Sequence, residues 1–214
     1  MSHQRRIGVL ALQGAVREHI DMFLALGVGA FAVADTDTLA AVDAIVIPGG
    51  ESTAISRLLE TSGMLDPLRR RIEEGLPALG TCAGMIMLAD EVLDGRPDQH
   101  QLGGIDISVR RNAFGRQVDS FETDLEVDGL DRPFHAVFIR APIVERAGPG
   151  VETLASVEGS DGTLRAALCR QGSRMVSAFH PELSGDPRLH DMFLTIAFDP
   201  GAAVGTAPGS RTNL

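Results

Sequence analysis

Only two cysteines, Cys82 and Cys169, occur in the 214 residues, too few for a disulfide framework. No Cys/His cluster has the spacing of metal ligands, so no metal is expected. Basic residues are short as well: 19 stand against 29 acidic ones, for a net charge of −10. A nucleic-acid surface needs a basic face and is not expected here. There is no apolar run long enough to span a bilayer, and the start lacks a charged, then apolar, then small-residue signal. The expectation is a soluble, cytoplasmic protein. Nucleotide motifs are missing: there is no P-loop lysine, and Gly27-Val28-Gly29 lacks the third glycine of a dinucleotide fingerprint. No internal repeat is present. Residues 199–214, rich in Gly, Ala, Pro, Ser and Thr, have no periodicity and read as a loose tail. The length suits one well-buried domain, residues 1–198.

What is present is an alternation. Residues 7–12 form a continuous apolar run, typical of a strand covered on both faces. Val16, Ile20, Phe23 and Leu24 recur at helical spacing up to Gly27, and strands follow at 30–33 and 44–47. Pro48-Gly49-Gly50 stops the second of these. A helix opens near Ser52, read as its cap, with Ile55, Leu58 and Leu59 on one face. Another covers 65–74, and a short buried strand ends near Leu79. From Ala83, the residues Met85, Leu88, Ala89 and Val92 again share one helix face. The fold class is α/β: a single-domain, open, mixed but mostly parallel sheet flanked by helices. After residue 100 the runs shorten into strands at 105–109, 121–127, 136–139, 153–157, 163–170 and 175–178. Leu189, Met192, Phe193 and Ile196 mark a closing helix.

Chemistry concentrates in Gly80-Thr81-Cys82-Ala83-Gly84, where a strand turns sharply into a helix at a cysteine. That is a nucleophile elbow: flanking glycines permit the turn, and the helix start favours thiolate. A hundred residues on, His180-Pro181-Glu182 sets a histidine and a carboxylate two apart, facing the same way if the chain is extended. Glu182 would orient His180, and His180 would take the thiol proton. Pro48-Gly49-Gly50-Glu51-Ser52 lies at a strand end, where open α/β sheets bind ligands. Its N–H groups and that of Ala83 suit an oxyanion. An arginine in the polar run from Arg111 to Gln117 could fork onto a substrate carboxylate. Cys169 reads as a small core residue on a strand. His19, His100, His135 and His190 have no partner at motif spacing; His19 and His190 fall in helical segments and are expected at the surface or facing a partner.

These residues resemble the class I (triad) glutamine amidotransferases, and within them the glutaminase subunits of pyridoxal 5′-phosphate synthases. The resemblance spans residues 6–195. It is carried by Gly8-Val9-Leu10-Ala11-Leu12-Gln13-Gly14-Ala15, Pro48 to Thr53, Gly80 to Met85, Arg111 to Glu122, Phe138 to Pro142 and Phe179 to Leu183. It implies that Cys82 attacks the side-chain amide of glutamine, with His180 as base and then acid and Glu182 orienting it. Gly50, Glu51, Ser52, Arg111, Ile139 and Arg140 fall on glutamine-binding positions, and Gly50 and Ala83 on the oxyanion site. Gln13 lies near the oxyanion region and the interface with a synthase subunit, the implied partner. Pyridoxal phosphate would be a product of the complex, so no bound cofactor is expected. Activity is expected to be low until the partner docks, for instance through a Gly49-Gly50 peptide that completes the oxyanion hole only then. Residues 94–101 match no block of the family and read as surface variation. An amidotransferase feeding another acceptor, such as the imidazole-glycerol-phosphate synthase glutaminase, is the nearest alternative. A non-catalytic regulatory module and a thiol-stress protein are more distant ones.

Overall fold

The opening apolar run becomes strand β1 (Arg6–Leu10) and the helical spacing after it helix α1 (Val16–Ala25). The computed structural model describes residues 5–111, 120–159 and 161–199. The tail from 200 onward and residues 112–119 of the Arg111 to Glu122 block lie outside them. Strand β2 (Gly29–Val33), helix α2 (Thr36–Ala40), strand β3 (Ala44–Ile47), helices α3 (Ser52–Thr61) and α4 (Leu65–Glu73), and strand β4 (Ala78–Thr81) follow. Helix α5 (Ala83–Leu88) leads to strands β5 (Ala89–Val92), β6 (Ile105–Arg110), β7 (Ser120–Leu125), β8 (Phe134–Ile139) and β9 (Ile143–Ala147). Strands β10 (Glu152–Glu158), β11 (Leu164–Gln171) and β12 (Arg174–Ser177), and helix α6 (Arg188–Phe198), complete the order.

Seven strands form one sheet in the order β10-β11-β12-β4-β3-β1-β2. The five from β12 to β2 run parallel, while β10 and β11 are antiparallel additions at one edge. The sheet is therefore mixed and mostly parallel, as the alternating pattern requires. Strands β1, β3 and β4 are almost wholly buried apolar residues, the signature of strands covered on both faces. From β1 the chain crosses to β2 on one side and returns to β3 on the other, so the winding reverses between β1 and β3. The carboxyl ends of the strands at such a reversal form a crevice.

Two readings need correction, and two elements are added. The helix expected through Val92 stops at Leu88: Ala89 turns extended (φ −64°, ψ 142°) and β5 pairs in parallel with β6. Pairing within a small sheet of β5, β6 and β9 overrides a four-residue helical pattern. Strand β9 and the short helix α2 were not anticipated. Helix α3 is capped by Glu51 and not by Ser52; the Glu51 carboxylate accepts from Thr53 N–H (3.0 Å) and Ala54 N–H (2.7 Å).

Candidate active site

Cys82 joins β4 to α5 in a conformation few side chains adopt, φ 50° and ψ −103°. Its N–H donates to Ser177 O of the neighbouring β12 (2.8 Å), which pins the turn to the sheet. The flanking glycines are required by contact. A Cβ at Gly84 would strike the Ile47 carbonyl oxygen, and one at Gly80 would reach within 2.6 Å of the Gly84 carbonyl carbon. Backbone thus packs on backbone around the elbow, and strain of this kind persists only where the surroundings enforce it.

His180 follows β12, and its N–H donates to Val137 O of β8 (2.9 Å). Its Nδ1 lies 2.7 Å from Oε1 of Glu182, whose side chain is fully buried. The expected proximity is present, but its expected cause is not. Pro181–Leu183 form a single 3-10 turn, closed by Leu183 N–H donating to His180 O (3.2 Å), so Glu182 arrives through a turn and not an extended chain. Burial disfavours the charged ring, but hydrogen bonds to Cys82 and Glu182, and their charges, outweigh it and hold the His180 pKa up at about 10. A histidine whose charged form is favoured beside a cysteine can take the thiol proton as base and later deliver it as acid. Cys169 is different in kind: burial pushes its thiol up to about 11, which makes it inert.

Cys82 and His180 open onto a cavity of about 350 Å³, which Gln13, Gly50, Glu51, Ser52, Ala83, Arg111, Ile139 and Arg140 also line. Each residue expected to bind glutamine or the oxyanion therefore reaches one space. Their roles within it differ. Glu51 N–H donates to Gln13 Oε1 (2.8 Å), tying the end of β1 to the glycine loop. The Glu51 carboxylate is occupied with capping α3; although burial works against its charge, the Thr53 and Ala54 N–H groups and the Arg111 charge hold its pKa below the usual range. Cys82 Sγ lies 3.8 Å from Ile139 O, and Arg140 adopts a positive φ of 44° at the cavity wall. The Gly49 carbonyl accepts from Ala15 N–H (3.2 Å), a bond that any flip of the Gly49-Gly50 peptide must break.

Two groups of residues correct the sequence reading. The 94–101 segment is not mere surface variation: Gln99 is buried, and its Oε1 accepts from the Arg111 guanidinium. Thr53 Oγ1 lies 3.0 Å from the same guanidinium, and the Asp94 carboxylate accepts the Arg111 N–H (2.7 Å). His19 and His190, expected at the surface or facing a partner, are wholly buried, with His19 Nδ1 2.9 Å from His190 Nε2. Polarity places a histidine outside unless another polar group meets it inside, and here each meets the other. Among the described residues no group of three or more His, Cys, Asp or Glu side chains is arranged to hold a metal ion, and no helix is long and apolar enough to cross a membrane.

An elbow cysteine at the end of β4 and a histidine–carboxylate pair after β12, on an open mixed sheet, make the architecture of the glutamine amidotransferases. The chain belongs to the SNO glutamine amidotransferase family, whose model matches residues 9–198. It is 57% identical over 200 residues to the pyridoxal 5′-phosphate synthase subunit PdxT of Nocardia farcinica, covering 93% of this chain and 88% of that protein. It is 56% identical over 190 residues to the protein of the same name from a Nocardioides species, covering 89% and 94%. A crystal structure of a glutamine amidotransferase superposes with a TM-score of 0.81 at 52% identity, covering 89% of this chain and 98% of that one. The PurLQS structure from Thermotoga maritima shares the fold alone, with a TM-score of 0.60 at 19% identity over 91% and 98%.

Proposed function

We propose that this protein is the glutaminase subunit of a pyridoxal 5′-phosphate synthase. It hydrolyses L-glutamine to L-glutamate and passes the ammonia to a synthase subunit for vitamin B6 biosynthesis. The observation that carries the reading is the His180 ring, whose Nδ1 lies 2.7 Å from the buried Glu182 carboxylate and which shares the wall of one cavity with Cys82. His180 takes the thiol proton as Cys82 Sγ attacks the side-chain amide carbon, and the carbonyl electrons move onto oxygen, facing the Gly50 and Ala83 N–H groups. His180 gives its proton to the departing ammonia, leaving a thioester. Water then loses a proton to His180 and attacks the thioester, which releases glutamate and restores the pair. Arg111 and Arg140 offer charge for the substrate carboxylate, with Glu51, Ser52 and Ile139 shaping the pocket.

The relatives' name supports a synthase partner, and Gln13, bonded to the glycine loop, is the residue through which docking would reach the oxyanion site. A net charge of −10 fits a protein partner and no nucleic acid. A thiol nucleophile fits a reducing, cytoplasmic compartment. Residues 1–198 are taken as the amidotransferase domain and 199–214 as an appendage. The test is glutamate release from glutamine by wild type and Cys82→Ala, with and without the cognate synthase subunit. Release that needs both Cys82 and the partner supports the reading. Release without the partner removes the gating, and none at all leaves a non-catalytic module.

A further inference from the structure

The two oxygens of the buried Glu182 carboxylate face different imidazoles. Oε1 meets His180; Oε2 lies 3.5 Å from His19 Nε2 and makes no hydrogen bond among the described residues. The same His19 Nε2 is 3.2 Å from Thr81 Oγ1, and Thr81 Oγ1 accepts the Gly49 N–H (2.9 Å). His19 therefore stands between the carboxylate that backs the catalytic base and the hydroxyl that anchors the glycine loop. Behind it, His190 of α6 closes the chain, its ring edge-on to Phe23.

We propose that His19 is a positioning residue for glutamine hydrolysis: its Nε2–H, aimed between Glu182 Oε2 and Thr81 Oγ1, fixes the carboxylate behind His180 and the anchor of Gly49 together. The proposal rests on the glutaminase reading above. The tautomer follows from counting protons. If His19 held its proton on Nδ1 and donated to His190, then His190 would carry its own on Nδ1, a buried atom with no hydrogen-bond partner among the described residues. That would orphan an N–H and turn a bare lone pair toward the Glu182 carboxylate. If His190 donates from Nε2 instead, its Nδ1 is only an unfilled acceptor, and His19 presents an N–H to Glu182. The second arrangement supplies the donor that Oε2 otherwise lacks.

The titratable groups facing His19 are His190 from α6, and His180 and Glu182 from the segment after β12; Thr81, from β4, is uncharged. Burial first, then the charges of His190 and His180, push the His19 pKa well below its usual value. His19 thus stays neutral and leaves the carboxylate charge to His180.

The test uses the full chain with its cognate synthase subunit and two polar variants. In His19→Gln the side-chain amide nitrogen replaces Nε2 and keeps a donor toward Glu182; in His19→Asn the side-chain amide oxygen replaces Nδ1 and keeps only the acceptor for His190. The expected result is a kcat about 10- to 100-fold lower for His19→Asn, with His19→Gln recovering most of it. KM should stay within about twofold in both. Alkylation of Cys82 by iodoacetamide, followed by peptide mapping to separate it from Cys169, should shift to higher pH in His19→Asn. A merely structural role would lower the melting temperature without moving that profile. Equal kcat in the two variants, or an unmoved alkylation profile, overturns the proposal. If wild type releases no glutamate, the glutaminase reading fails by itself; the alkylation profile then decides His19, a shift in His19→Asn alone supporting its role.

Discussion

Gly49 and the His180 ring occupy one volume: a Cβ built on Gly49 would lie 2.8 Å from Nδ1 of His180 and closer still to Cε1. The His180 ring is thus held against bare backbone on one side and Glu182 on the other. Gly49→Ala should push the ring off its 2.7 Å contact with Glu182. Partner-stimulated glutamate release should fall about 100-fold, the scale set by a misplacement of about 1 Å, while the protein still folds. Activity within a few-fold of wild type would show that the ring tolerates displacement.

Stability should decline on the alkaline side through His180. Its pKa rises from 6.5 to about 10 on folding, so the folded state keeps a proton that the unfolded chain releases between those values. The contribution is complete below pH 6.5 and is lost as pH climbs toward 10. Melting temperatures from pH 7 to 10 should fall more steeply for wild type than for His180→Gln.

The buried pair acts in the opposite direction. Burial pushes His190 down to about 4 and is the largest cause of the drop at His19, so both stay neutral where the unfolded chain binds protons. Their contribution is full above pH 6.5 and drains away as pH falls toward 4. The acid limb of the melting curve should be shallower in His190→Phe. Parallel limbs would place acid sensitivity in the carboxylates instead.

Gln99 should matter for affinity more than for turnover. Its Oε1 and Thr53 Oγ1 hold the Arg111 guanidinium at the cavity. Gln99→Ala should raise the KM for glutamine about tenfold, the value of one charge-assisted hydrogen bond at its lower end, with kcat nearly unchanged. Steady-state kinetics with the partner at saturation separates the two.

Gly84→Ala tests the packing of the elbow. The added methyl would meet the Ile47 carbonyl oxygen, a backbone atom in the middle of the sheet. Destabilisation of about 1–3 kcal/mol is expected, read by chemical denaturation.

The parts of this structure that were legible in the sequence are those encoded locally. The buried strands β1, β3 and β4 read as unbroken apolar runs, and the elbow read as a cysteine between glycines that only a tight turn explains. Short elements failed where pairing decides: β5 and β9 owe their state to β6 and not to their own residues. Helix α2 is marked in the sequence only by its cap, Asp35 and Thr38, which form a reciprocal pair. The cap of α3 was misplaced by one residue because the Glu51 carboxylate is long enough to reach two N–H groups.

The site was legible in its reacting groups and not in their supports. His19 and His190 are 171 positions apart, and no spacing rule can join them. Gln99 sits in a polar segment that composition assigns to the surface, and only its contact with Arg111 reveals its burial. The residues proposed to touch substrate sit in short motifs; those that hold them in place are gathered by the fold.

Four adjacent strands, β12, β4, β3 and β1, each deliver one piece of the candidate site: His180 with Glu182 behind it, Cys82, the Gly49–Ser52 loop and Gln13. They are the interior of the sheet, with no edge among them, and interior strands are the last to open when a protein breathes. Catalysis therefore has no fuse of its own. On warming, loss of glutaminase activity and loss of the fold should trace a single curve, so that turnover serves as a gauge of the integrity of the core.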